Sequence, residues 1–149
     1  MSDDEQSPEI AQRRRGAEKT AMKSEHVSGQ VVDAAYHIHS RLGPGLLESV
    51  YETLMIHELT KRGLRVDRQV PVSLSYDGIA IDLAFRADLV VEDTLIVELK
   101  SVDALTAIHR KQLLTYLKVS GKPVGLLINF NASLIKDGIV RLVNQLSVE

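Results

Sequence analysis

Cysteine is absent from the 149-residue sequence, which excludes disulfides, thiolate-bound zinc and a cysteine nucleophile. No apolar run approaches the ~20 residues that cross a bilayer. Residues 124–128, among the longest, are few and are interrupted by Gly125, so no membrane partner is expected. The N-terminus lacks the apolar core of a signal peptide, and the cytoplasm is the expected location. A basic surplus is missing too: 18 Lys and Arg stand against 20 Asp and Glu, a net charge of −2. Affinity for nucleic acid comes largely from neutralising phosphates. Such a partner must therefore meet a local patch, or a site where metal ions supply the positive charge. Internal repeats, low-complexity segments and a defensible serine–histidine–acid arrangement are also absent.

What is present is ordinary for a globular protein, with 44% hydrophobic and 26% charged residues, enough for one domain with a core. Residues 1–24 read as a mobile N-terminal tail with a fleeting helix over 9–22. Its Arg13, Arg14 and Arg15 are flanked by acids, as on a solvated segment. Residues 25–149 read as a single domain. Val31, Ala34, Ala35 and Ile38 mark a helical stripe, broken at Leu42-Gly43-Pro44-Gly45. A second helix is expected over 46–61, ending at Gly63. Val70, Val72, Leu74 and Tyr76, then Ile79, Ile81, Leu83 and Phe85, alternate with other residues around Asp77-Gly78, a strong hairpin signal. A helix over 104–119, a buried strand over 124–129 and a terminal helix over 134–146 follow. The order predicts an α/β layer fold, helices on a mixed sheet with an antiparallel meander.

Three charges break the apolar strands: Asp88, Glu98 and Lys100. Glu98 and Lys100 project from one face of their strand. If Glu92, Asp93 and Thr94 form a three-residue loop, Asp88 lies opposite Glu98 on that face; a two-residue turn would part them. The favourable register gathers two carboxylates and an ammonium, a set that suits Mg²⁺; the alternative is an inter-strand salt bridge. Glu48 lies at the edge of the second helix's apolar arc. Gln112 falls near the middle of the expected buried face of the next helix, where an unpartnered amide would cost about 1–3 kcal/mol.

Asp88 followed by Glu98-Leu99-Lys100 resembles the core of the PD-(D/E)xK nuclease superfamily, with Ala87-Asp88 in place of its PD element. Gly45, Glu48 and Tyr51 stand at the spacing of the bacterial GxxExxY protein family. "RQVPV", "QLLTYLK" and "GLLINF" extend the likeness in unbroken order over about 27–144. The resemblance implies a restriction-endonuclease-like core and metal-dependent hydrolysis of nucleic acid, DNA before RNA, with Mg²⁺ or Mn²⁺ as the cofactor. Asp88, Glu98, the Leu99 carbonyl and Glu48 would bind metal. Lys100 would orient or activate water, and Gln112 would support the catalytic set of Asp88, Glu98 and Lys100. Tyr51, Tyr116 and His109 would stand just behind them, although both tyrosines also suit the core. His37 and His39 do not share a helical face, which argues against a histidine metal site. Three converging carboxylates would raise at least one pKa. The competing expectation is a non-catalytic module that keeps the pocket to bind nucleic acid or nucleotide, or to self-assemble as a homo-oligomer.

Overall fold

The computed structural model describes residues 7–145. Helix α1, Pro8–Leu42, begins at a favourable N-cap: the Ser7 hydroxyl accepts from the Ile10 N–H at 3.4 Å, and proline occupies the first turn, where its missing N–H is no loss. The helix expected over 9–22 is its largely exposed first half. Burial begins at Ser24 and continues through Val27, Val31, Ala34, Ala35 and Ile38 at helical spacing. Position 24, where the sequence suggested the tail would end, thus lies inside one continuous helix; residues 1–6 of that tail lie outside the described residues. Gly43 and Gly45, at φ 71° and 103°, carry the chain around Pro44.

Helix α2, Glu48–Lys61, starts two residues later than expected, because Leu47 is extended. It closes with Leu64 N–H bonded to the Leu59 carbonyl and Gly63 N–H to the Thr60 carbonyl, Gly63 having φ 79°. That pair of bonds is a Schellman motif, which glycine enables. The buried residues are Tyr51, Glu52, Met55 and Leu59. Of the apolar arc expected on Leu46, Leu47, Val50, Tyr51, Leu54 and Met55, Tyr51 and Met55 are buried and Leu54 partly so, whereas Leu46, Leu47 and Val50 are exposed.

Strands β1, Val66–Tyr76, and β2, Ile79–Val91, form the expected hairpin. Its turn residues Asp77 and Gly78 are both left-handed, at φ 48° and 79°, as a two-residue hairpin loop favours. Strand β3, Leu95–Lys100, completes the meander. Helix α3, Ala107–Ser120, then crosses to β4, Val124–Asn129, which runs parallel to β3. The sheet order is β1-β2-β3-β4, with β5, Ile139–Val143, beyond β4 at the far edge. One core cluster lies between the sheet and α1 and α2, and the other between the sheet and α3.

The terminal helix is overturned. Ile135–Gly138 forms one 3-10 turn, and Ile139–Val143 is β5, antiparallel to β4; the last expected helical residue, 146, lies outside the described residues. Ile139, Val140 and Val143 are β-branched and favour the pleated sheet over a helix. Gly138 permits the turn: a Cβ there would run into the Asn129 carbonyl oxygen.

The β1–β2 hairpin changes face along its length. Leu89 and Val91 pack in the α1–α2 cluster, whereas Phe85 and Ala87 pack in the α3 cluster. On β1, Val66 packs with the first cluster and Val70 and Val72 with the second. Residues two apart on a regular strand share a face, so both strands rotate between these positions. The rotation falls at Asp88 and its neighbour Gln69: paired residues flank them on either side, but these two do not pair. Gln69 itself has φ 48°, a left-handed conformation that a non-glycine residue rarely adopts.

Candidate active site

The β2–β3 loop sets the register on which the site depends. Glu92, Asp93 and Thr94 separate Val91 from Leu95, and the ladder pairs Val91 with Leu95 and Leu89 with Val97. Carried one residue beyond the last ladder pair, this register sets Asp88 opposite Glu98, as the three-residue loop predicts. Glu92 and Asp93 are both left-handed, at φ 52° and 54°, which costs L-residues energy. Several bonds offset that cost. Glu92 N–H donates to the Arg65 carbonyl at 2.9 Å, and Arg65 N–H donates to the Glu92 carboxylate at 3.0 Å. Lys122 Nζ reaches Asp93 Oδ1 at 2.7 Å and holds its pKa below the usual value, through the hydrogen bond first and its charge second. Ser24 Oγ lies 3.0 Å from Thr94 Oγ1 and ties α1 to the same loop.

At Asp88 and Glu98 the regular ladder ends and side chains take over. Asp88 N–H donates to Glu98 Oε1 at 3.2 Å, and Leu99 N–H donates to Asp88 Oδ2 at 2.9 Å. Glu98 is 7% exposed. Burial, then the neighbouring Asp88 charge, push its pKa from 4.5 to about 8, with Lys100 acting weakly the other way. Two adjacent carboxyls, one of them buried, cannot both ionise cheaply. A divalent cation removes that conflict, and Mg²⁺ needs only one or two carboxylates with oxygen ligands elsewhere. The Asp88–Glu98 pair therefore has the donor chemistry that a hard cation takes. Among the described residues, however, no three or more His, Cys, Asp or Glu side chains gather as a metal-binding group. The expected convergence of three carboxylates is not met.

Glu48 explains the difference. It lines, with Asp88, a cleft of about 610 Å³ between α2 and the sheet. One carboxylate oxygen is taken by the Ser101 N–H at 3.0 Å, while Ser101 Oγ donates to the Leu46 carbonyl. Glu48 thus anchors the chain just after Lys100. Tyr51 is a core aromatic, stacked on Phe130 with ring centroids 4.3 Å apart. Its hydroxyl donates to the Gly43 carbonyl at 2.7 Å and accepts from Leu46 N–H, fixing the loop that presents Glu48. Tyr116 stacks on Phe85. Burial raises its pKa, with Glu98 and Asp88 adding to the effect, so its phenol senses both carboxyls. Lys100 is half-buried at the end of β3 and, two residues apart in turn, shares the face of Glu98 and Ile96 on the α3 side.

Gln112 is not in the middle of a buried face. It is exposed on α3, whose buried residues are Leu113 and Leu117. Ile108, which the sequence groups with Leu105, Leu113, Tyr116 and Leu117 on the expected buried face, is 57% exposed. The helix is rotated because Leu113 fits directly over Gly125 of β4, where a Cβ would press on its side chain. His109 caps α3: its Nδ1 accepts from Thr106 N–H at 3.0 Å. Two site residues escaped the sequence reading. Glu52, 8% exposed, lines the cleft beside Asp88. Its signal was the i,i+4 repeat with Glu48, a like-charge spacing that disfavours a plain surface helix. Gln69 also lines the cleft, and the left-handed backbone that places it left no mark in the sequence.

Fold and cleft together define a mixed α/β sheet with an acidic site where its central hairpin parts. The family model described as the PD-(D/E)XK nuclease superfamily matches residues 25–142, and the chain belongs to that superfamily. No curated protein and no solved structure matches it.

Proposed function

We propose that this protein is a phosphodiesterase that hydrolyses nucleic acid, DNA in preference to RNA, with Mg²⁺ or Mn²⁺ held by Asp88, Glu98 and the Leu99 carbonyl. The observation that carries this reading is the Asp88–Glu98 pair, in which burial and mutual repulsion push Glu98 up to about 8. A group that expensive to ionise is stabilised by a cation at its side. When bound, the cation supplies Lewis acidity, acidifying water and offsetting charge at the phosphate. The chain's own residues do the rest. Asp88 and Glu98 each spend one oxygen on a backbone N–H, so their carboxyl planes are fixed before substrate arrives. Lys100, on the Glu98 face, orients water and adds positive charge where the transition state becomes negative. Glu48 holds the chain beyond Lys100 through Ser101. The order of Gly45, Glu48 and Tyr51 with the later segments further supports membership of the GxxExxY family.

Exposure of Gln112 favours a second reading, in which the fold keeps its pocket for binding or self-assembly and no longer cleaves. One experiment separates the two. The first expects Mg²⁺- or Mn²⁺-dependent cleavage of single- or double-stranded DNA or RNA, abolished by Lys100→Ala with the fold intact. Absence of cleavage on all these substrates with both metals, alongside nucleic-acid binding that Lys100→Ala leaves unchanged, selects the second.

A further inference from the structure

Between α2 and Asp88 stands a chain of contacts that the catalytic reading does not use. Gln69 Nε2 lies 3.2 and 3.4 Å from the two carboxylate oxygens of Glu52 and 3.4 Å from Asp88 Oδ1. Both partners are acceptors, so the amide must present its NH₂ to them, one hydrogen for each. Glu52 is in turn paired with Arg68 Nε at 3.3 Å. Since Leu99 N–H occupies Asp88 Oδ2, Gln69 is what fixes the other oxygen. It reaches that position only through a left-handed backbone, φ 48°, at the point where β1 and β2 cease to pair. A strained conformation persists where its surroundings over-determine it, and here the surroundings are two carboxylates.

We infer that Gln69 is a positioning residue that aims the Asp88 carboxylate at the cation, and that Glu52 acts through Gln69 by holding its amide. This rests on the cation site proposed above. Partners that orient a ligand without touching the metal typically contribute about 10–100-fold to its affinity.

The test is calorimetric titration of Mn²⁺ into the folded protein, with no substrate present. Gln69→Gly keeps the backbone, because glycine accepts positive φ, and removes only the amide; it should bind Mn²⁺ about 10–100-fold more weakly. Glu52→Ala should lose a similar factor, and Glu52→Gln should recover part of it, since its side-chain carbonyl still accepts from Gln69. In the Gln69→Gly background, Glu52→Ala should add nothing further, because the two residues act in series. Circular dichroism and thermal melts check that each variant is folded. Should Gln69→Gly bind Mn²⁺ as tightly as the parent, or the two losses multiply, the positioning role is overturned while the cation site stands. Should the parent bind no Mn²⁺, as Asp88→Asn is expected not to, the cation site fails and the inference fails with it.

Discussion

Glu98 makes the protonation state of one side chain a property of the fold. Its pKa of about 8 in the folded protein compares with an ordinary 4.5, so the folded state holds a proton that the unfolded chain has released. Stability must then be fullest below about 4.5 and fall as pH rises toward about 8, because over that window the native state binds more protons. The metal-free protein should therefore melt lower at pH 8 than at pH 5.5. Glu98→Gln should flatten this dependence and melt higher than the parent at pH 8, the difference being on the order of a few kcal/mol. A parent melting curve that does not move between these pH values would contradict the environment described for Glu98. At this scale the sequence showed a good deal: Asp88, Glu98 and Lys100 were visible as charges in apolar strands. Glu52 was hidden because the helix was read with Leu46, Leu47 and Val50 inside the same arc as Tyr51 and Met55, when the core face runs through Tyr51, Met55 and Leu59 and leaves the first three exposed.

Elements were legible wherever a local signal agreed with the packing. Asp77-Gly78 announced the hairpin turn, and Gly63 the end of α2. The last element failed because Leu134, Ile135, Val140 and Leu142 suit either period over so short a stretch. Pairing with β4, helped by the β-branched Ile139, Val140 and Val143, decides for a strand. Gly138 is the element-scale test. Replacing it with alanine sets a Cβ against the Asn129 carbonyl oxygen, which backbone must yield to accommodate. Gly138→Ala should destabilise by about 1–3 kcal/mol, the usual cost of overpacking, and should lower the midpoint of a urea melt. Leu113 gives the complementary case. It is 1% exposed and sits over Gly125, so Leu113→Ala should cost about 2–5 kcal/mol and loosen α3 from the sheet. Rotation of α3 around that one contact is also why Gln112 points outward, something a helical wheel drawn from hydrophobicity alone could not show.

Over the whole molecule, a net charge of −2 and an acidic cleft leave the domain poorly matched to a polyanion until a cation binds. Metal should consequently report on the fold as well as on the site. Mn²⁺ at 100 times its dissociation constant adds about 2.7 kcal/mol to stability, and a protein of this size gains roughly 2–4 °C per kcal/mol. Several degrees of stabilisation by millimolar Mn²⁺, lost in Asp88→Asn, is the expected melting behaviour. The sheet also carries its own record of these events. Where β2 and β3 pair, Leu89–Val91 with Leu95–Val97, the ladder is backbone to backbone, and a carbonyl's charge never changes. The Asp88 and Leu99 amides point at carboxylates, whose charge does. In a nitrogen–proton correlation spectrum the Asp88 peak should follow the protonation of Glu98, and the Leu99 peak marks the neighbouring carboxylate. Diamagnetic Mg²⁺ should shift them too, so two backbone signals of isotope-labelled protein allow the occupancy of the site to be read with no substrate and no activity assay.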